Sequence, residues 1–256
     1  MSPMVLVDHL DQVAVITLNR PERHNSLVPD FLEEILAALG SIRSQPQMRA
    51  IILQANGRSF STGGDVRVLY DNLERIKEYA DNIVELLNQV ILDLVALPQP
   101  VVAAVHGIVT GGSLGFVLAS DIVLVTPQAS FTPYYSVVGF SPDGGWTAIL
   151  PEIIGARRAA ETLILNQTIT AEQAVAWGLA SRVVPAEGLF DLALKTAQDI
   201  ALKQPGSIAR TKTLLRADLP KVRDGLQAEK SQFVEQIASE EARRAMQVFL
   251  KIEDRG

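Results

Sequence analysis

Three glycine-rich stretches hold the residues best suited by type and spacing to do chemistry: RSFSTGGDV (58–66), HGIVTGGSLG (106–115) and GFSPDGG (139–145). Glycine allows close backbone approach, so each stretch can present amide N–H groups to a ligand. The third also carries an acid, Asp143, between a proline and two glycines in an otherwise apolar and small-residue neighbourhood. That carboxyl has two readings. Pro-Asp-Gly-Gly is turn chemistry, and Asp143 ahead of GGWTAIL makes a good helix N-cap. A carboxyl held by such a turn can also move a proton.

Other chemistries find less support. The chain has no cysteine, which removes disulfides, thiolate nucleophiles and cysteine-based zinc sites, and His9, His24 and His106 lack metal-ligand spacing. In the second stretch Gly107 and Gly112 fit part of a phosphate loop, but Ser113 stands where lysine is needed. Thr110 occupies the place of the first glycine in a dinucleotide fingerprint. Alone, this loop reads as a tight strand-to-helix turn. Asp65 reads as a helix N-cap, and Asp121 before IVLV reads as structural. The net charge is −6 and basic residues are scattered, so nucleic acid is not an expected partner. MSPMVLVDHLDQ has no basic region before its short apolar stretch, and a cytoplasmic protein is expected. Residues 94–120 carry no Asp, Glu, Lys or Arg, but their prolines and glycines suit buried core rather than a membrane helix.

The elements that must position these loops follow from periodicity. With 256 residues, 48% of them hydrophobic, the chain can bury one large core or a core plus an appendage. QVAVITLN (12–19), AIILQA (50–55), VVAAV (101–105) and DIVLVT (121–126) are rich in β-branched residues and predict strands. Phe31, Ile35, Leu39 and Ile42 recur at helical spacing, as do Ile83, Leu87, Val90, Ile91 and Leu94. Alternating strands and helices predict an α/β protein. After about residue 155 helical patterns dominate: 157–165, a helix opened by the capping box Thr170-Ala-Glu-Gln173, 189–203, 207–216, and 239–252 behind the N-cap Ser239.

Taken together, NRPERHNSL (19–27), FSTGGDV (60–66), AAVHGIVTGGSLGFVLASD (103–121), GFSPDGG and AWGLASRVV (176–184) resemble, in this order, the crotonase or enoyl-CoA hydratase/isomerase superfamily. The resemblance covers nearly the whole chain. It implies a spiral of strand-strand-helix repeats over 1–195 and a C-terminal helical region over 196–256 that builds homotrimers or hexamers. It implies acyl-coenzyme A thioester substrates, no metal or redox cofactor, and two backbone N–H groups on the thioester oxygen, those of Thr62 and Gly112. Preorganised amides suit that task because proton removal beside a thioester carbonyl puts negative charge on its oxygen.

Family hydratases use two glutamates, and motif matching puts Gly115 and Tyr135 at those positions, so the dyad is absent. Asp143 matches a third position, which several enoyl-CoA isomerases fill with Asp or Glu. One carboxyl over C2 and C4 can serve as base and then acid in a 3- to 2-enoyl shift. The resemblance therefore moves Asp143 from cap to catalyst, with burial raising its pKa, a helix N-terminus lowering it, and no net direction predicted. Arg23 and Asn56, Ser59 and Phe60 resemble the coenzyme A-binding edge, and Phe249 and Lys251 resemble C-terminal residues reaching the nucleotide. Val66, Leu69, Tyr70, Phe116, Tyr135 and Trp146 are candidates for the acyl pocket, and Gly64 is a further candidate for substrate binding. An acyl-CoA hydrolase, an unorthodox hydratase and a non-catalytic acyl-CoA-binding subunit remain as alternatives.

Overall fold

A computed structural model of the chain describes residues 3–216 and 218–252. The strands among them are β1 (Val5–Leu10), β2 (Val13–Leu18), β3 (Ala50–Ala55), β4 (Val101–Val105), β5 (Ile108–Thr110), β6 (Ile122–Val125), β7 (Ser130–Thr132), β8 (Ile169–Thr170) and β9 (Arg182–Val183). The α-helices are α1 (Pro29–Arg43), α2 (Val66–Asp71), α3 (Ile76–Ala96), α4 (Leu114–Leu118), α5 (Tyr135–Val138), α6 (Leu150–Ile154), α7 (Ala156–Ile164), α8 (Ala171–Ala176), α9 (Leu189–Ala201), α10 (Pro205–Leu215), α11 (Leu219–Ile237) and α12 (Glu240–Leu250).

The larger sheet has the order β1-β2-β3-β4-β6-β9. All neighbours are parallel except β1, which pairs antiparallel with β2. Sequence periodicity predicts β2, β3, β4 and β6, because strands covered on both faces read as near-continuous apolar runs; every residue of β2 is buried. It does not single out β1, whose residues after Val5 are largely exposed. One face of the sheet packs against α1 and α3. The other packs against α9, where Leu189, Ala193 and Ala197 meet Val13, Val15, Ala50, Ile52, Val102, Ala104 and Leu124.

A second sheet runs β5-β7-β8. Twice the chain places one strand in the large sheet and the next in the small one before turning into a helix: β4, β5, α4, then β6, β7, α5. This is the strand-strand-helix spiral expected from the motifs, and helices complete the C-terminal part. The expected boundary at residue 195 falls inside α9. No helix among the described residues is long and apolar enough to cross a membrane.

The local stop and start signals behave as their chemistry requires. Thr170 and Gln173 form a capping box, Ser239 accepts from the Ala242 N–H, and Asp65 accepts from the Val68 N–H. Asp121 is structural: it accepts from the Val101 N–H at 2.8 Å and pairs with the buried Lys212 ammonium at 2.8 Å. Lys212 also donates to the Leu94 and Gln99 carbonyls, tying α10 to the end of α3. Helix α11 lies along α3 and buries Leu226, Phe233 and Ile237. The sequence reading does not single out this helix.

Candidate active site

The three glycine stretches meet in space, and the reason is steric. A Cβ on Gly63 would lie 2.7 Å from the Thr110 carbonyl oxygen, so the first and second loops touch backbone to backbone. A Cβ on Gly144 would lie 2.5 Å from the Gly112 Cα, which brings the third loop against the second. Only residues without side chains allow this approach.

Beside this junction lies a cavity of about 470 Å³, within the usual range for a small-molecule site. Thr62, Gly64, Gly111, Gly112 and Asp143 line one side. Ile83, Val84 and Leu87 of α3, Val138 of α5, Phe140, Phe233 of α11, and Phe249 and Leu250 of α12 line the rest. Glu22, Arg23, His24 and Arg67 lie along the same cavity.

Backbone hydrogen bonding changes one expected donor. The Thr62 N–H donates to the His24 carbonyl at 3.2 Å, so it is occupied. Leu27 bridges Gly64 by donating to the Gly63 carbonyl and accepting from the Asp65 N–H, a parallel pairing that leaves the N–H of Gly64 itself facing away. Among the described residues the Gly64 N–H has no hydrogen-bond partner, and it lies on the cavity wall. Gly112 sits in the first turn of a short 3₁₀ segment, Gly111–Ser113, where N–H groups lack intrahelical acceptors. Gly64 and Gly112 are therefore placed to offer one amide from each loop to a ligand in the cavity.

Asp143 does not cap a helix. The residues after it form turns, Gly144 and Gly145 have φ of 66° and 91°, and α6 begins only at Leu150. Its carboxyl instead packs on Gly112, where an added Cβ would lie 2.9 and 3.0 Å from its two oxygens. The Tyr135 hydroxyl donates to Asp143 Oδ1 at 2.5 Å and lies 3.0 Å from the Asp143 carbonyl oxygen. Asp143 is 7% exposed and no helix begins directly after it, so burial dominates its proton affinity. Burial pushes it up to about 7; the Tyr135 hydrogen bond opposes this, and the Glu229 charge adds to it. Burial and the Asp143 charge push the Tyr135 hydroxyl well above its ordinary value, so it stays a donor.

The remaining expected residues separate into wall and support. Arg23, Gly64, Val66, Leu69, Tyr135 and Phe249 line the cavity. Arg23 is held by Asp65 at 2.7 Å. Burial alone would raise Asp65, but Arg23, Ser26 and the Val68 N–H together bring it below its ordinary value. Phe60, Phe116 and Trp146 do not line the cavity; they are fully buried in the core behind it. Trp146 supports the second loop by donating to the Gly111 carbonyl at 2.8 Å. Asn56 and Ser59 brace the 19–25 segment, Asn56 through Asn19 and Asn25 and Ser59 through His24. Tyr70 accepts from Gln247 between α2 and α12, and Lys251 ends α12 in a left-handed conformation on the exposed surface.

Sequence reasoning misses Glu229. Its carboxylate holds the turn after Asp143, accepting from the Gly145, Thr147 and Ala148 N–H groups and the Thr147 hydroxyl. A signal exists: Leu226, Glu229, Phe233 and Ile237 share one helical stripe, and an acid on an apolar stripe requires a buried partner.

The sequence matches the family described as Enoyl-CoA hydratase/isomerase over residues 8–255. The chain belongs to the enoyl-CoA hydratase/isomerase family. Among members of this family it is 37% identical over 223 residues to the Mycobacterium bovis protein named "Probable enoyl-CoA hydratase echA12", covering 82% of this chain and 76% of that one. It is 31% identical over 220 residues to the 1,2-epoxyphenylacetyl-CoA isomerase of Escherichia coli, covering 82% of this chain and 84% of the relative. The crystal structure of a monofunctional enoyl CoA isomerase from M. smegmatis superposes with a TM-score of 0.73 at 33% identity, over 86% of this chain and 95% of that chain. The family name covers hydration and isomerisation alike, so the choice between them rests on the site.

Proposed function

We propose that this member of the family is an enoyl-CoA isomerase that moves a 3-enoyl-CoA double bond to the 2-position, with Asp143 as the proton carrier. The observation that carries the reading is the buried carboxyl of Asp143, packed on Gly112 at the cavity wall; Asp65, the other buried acid lining the cavity, is engaged by Arg23, Ser26 and the Val68 N–H. The ionised carboxylate takes a proton from C2, and the electron pair of the broken C–H bond delocalises into a dienolate. The Gly64 and Gly112 N–H groups stabilise the charge on the thioester oxygen, each contributing about 3 kcal/mol by comparison with a measured oxyanion-hole donor. Protonated Asp143 then returns the proton to C4, leaving the double bond between C2 and C3. One group suffices because the same proton leaves and returns, and no cofactor takes part.

Two further features favour isomerisation over hydration. Position 115 has no room for a side chain, since a Cβ there would lie 2.8 Å from the Gly144 carbonyl oxygen and closer still to Ile91. Position 135 holds a tyrosine engaged with Asp143. Walls of Ile83, Val84, Leu87, Phe140 and Phe233 suit an uncharged acyl chain or ring. We also infer that copies of the chain assemble through the C-terminal helices as a homotrimer or its dimer.

The test is to mix the protein with a 3-enoyl-CoA and follow conjugation of the double bond with the thioester. Turnover is expected, and Asp143→Asn should lower kcat at least about 100-fold, the scale of general acid–base catalysis. Unimpaired turnover by that variant removes Asp143 from the mechanism. Release of free coenzyme A, or hydration without migration, would favour the hydrolase or hydratase reading.

A further inference from the structure

Glu229 lies 81 residues from the nearer end of the turn it holds, on α11, and is 4% exposed. A carboxylate taken out of water is costly unless its oxygens are well satisfied. Here no Lys or Arg among the described residues pairs with it. Its partners are instead backbone and hydroxyl donors of one short segment: Gly145 N–H at 2.8 Å, Thr147 N–H at 2.6 Å, Thr147 hydroxyl at 2.7 Å and Ala148 N–H at 2.9 Å. That segment follows Asp143 directly, with Gly144 and Gly145 in left-handed conformations; the Gly145 carbonyl accepts from the Ile149 and Leu150 N–H groups, whereas the N–H groups of Gly145, Thr147 and Ala148 are held by Glu229.

We propose that Glu229 is a positioning residue for Asp143: by gripping the amides of the following turn, its carboxylate holds the Asp143 carboxyl against Gly112. The role rests on the reading of Asp143 as the proton carrier. Asp143 is clamped from two sides, by the Tyr135 hydroxyl on its carboxyl and carbonyl and by Glu229 on the residues after it. Truncating Glu229 would strand three amides and free the turn. The ionisable groups facing Asp143 are the Tyr135 hydroxyl from α5 and the Glu229 carboxylate from α11, while α3 presents the apolar Leu87 beside Gly112. The Glu229 charge also raises the proton affinity of Asp143, so position and protonation are linked through one side chain.

The experiment uses the full chain with Glu229→Gln, which removes the charge while keeping the shape, and Thr147→Val, which removes one of the four donors. Asp143 is titrated without substrate by carboxyl ¹³C NMR, using Asp143→Asn to assign the signal. In Glu229→Gln the midpoint should move to lower pH, and kcat should fall about tenfold to a hundredfold, the scale of a slightly misplaced group. Binding of a saturated acyl-CoA should be unchanged. Thr147→Val should lower kcat less, and it carries the test if Glu229→Gln does not fold. Folded variants with the wild-type midpoint and kcat would overturn the proposal. Because the midpoint needs no reaction, a shifted midpoint alongside a wild-type protein that fails to isomerise would reject the isomerase reading alone.

Discussion

A carboxyl that first takes a proton and then gives it back works best when its affinity for that proton is near the solvent's at working pH. Burial brings Asp143 to about 7, which meets that condition. The carboxylate begins the reaction, so kcat/KM should rise with pH through about 7, and a pH–rate profile checks this. The same shift costs stability. A carboxyl that holds its proton more tightly folded than unfolded stabilises the fold fully below the unfolded-state pKa, and this contribution is lost as pH rises through about 7. Asp143→Asn, which cannot ionise, should therefore gain Tm relative to wild type as pH goes from 5 to 8. A constant difference in Tm across that range would mean Asp143 is not shifted. Tyr135→Phe removes a bond that favours the carboxylate, so the acid limb of the profile should move to higher pH.

At the scale of elements, the site is a junction of three loops made possible by missing side chains. Gly112→Ala is the sharpest probe of that packing. The added methyl would lie 2.6 Å from Leu87 Cδ2 and 2.9 and 3.0 Å from the Asp143 oxygens, so the carboxyl must move. We expect an unchanged far-UV circular dichroism spectrum with kcat lowered at least about tenfold, since small displacements of a reacting group are costly. Wild-type kcat would show that the loops can separate without consequence. The loops, the strands β2, β3, β4 and β6 and most of the helices are legible in the sequence because glycine clusters, β-branched runs and helical spacing are local patterns. Helix α11 is less legible because Lys230 and Glu229 interrupt its apolar stripe, and each is explained by a distant partner: Asp81 and Glu85 for the lysine, the 145–148 turn for the glutamate.

For the molecule as a whole, the C-terminal helices both close the cavity and offer apolar surface. Leu202, Leu214, Leu215 and Val248 are each at least 76% exposed, and all lie beyond residue 200. Apolar surface on this scale favours association with another chain. Multi-angle light scattering should give the mass of three chains or a multiple of three, and Leu214→Asp with Leu215→Asp should reduce it. The mass of one chain for the wild-type protein would reject the assembly.

The sequence by itself determined the alternation of strands and helices, the caps at Asp65, Thr170 and Ser239, the glycine stretches and the candidacy of Asp143. Each depends on residues a few positions apart. Only the tertiary structure decided which amides are free, because Thr62 is occupied by His24 and Gly64 is freed by its pairing with Leu27. Only it decided that Phe60, Phe116 and Trp146 stand behind the wall, and that Asp143 faces Tyr135 and Gly112 rather than capping a helix. Hydrogen-bond occupancy and proton affinity are set by whatever chain segments come to lie alongside, and here Glu229 reaches Gly145 from 84 residues away.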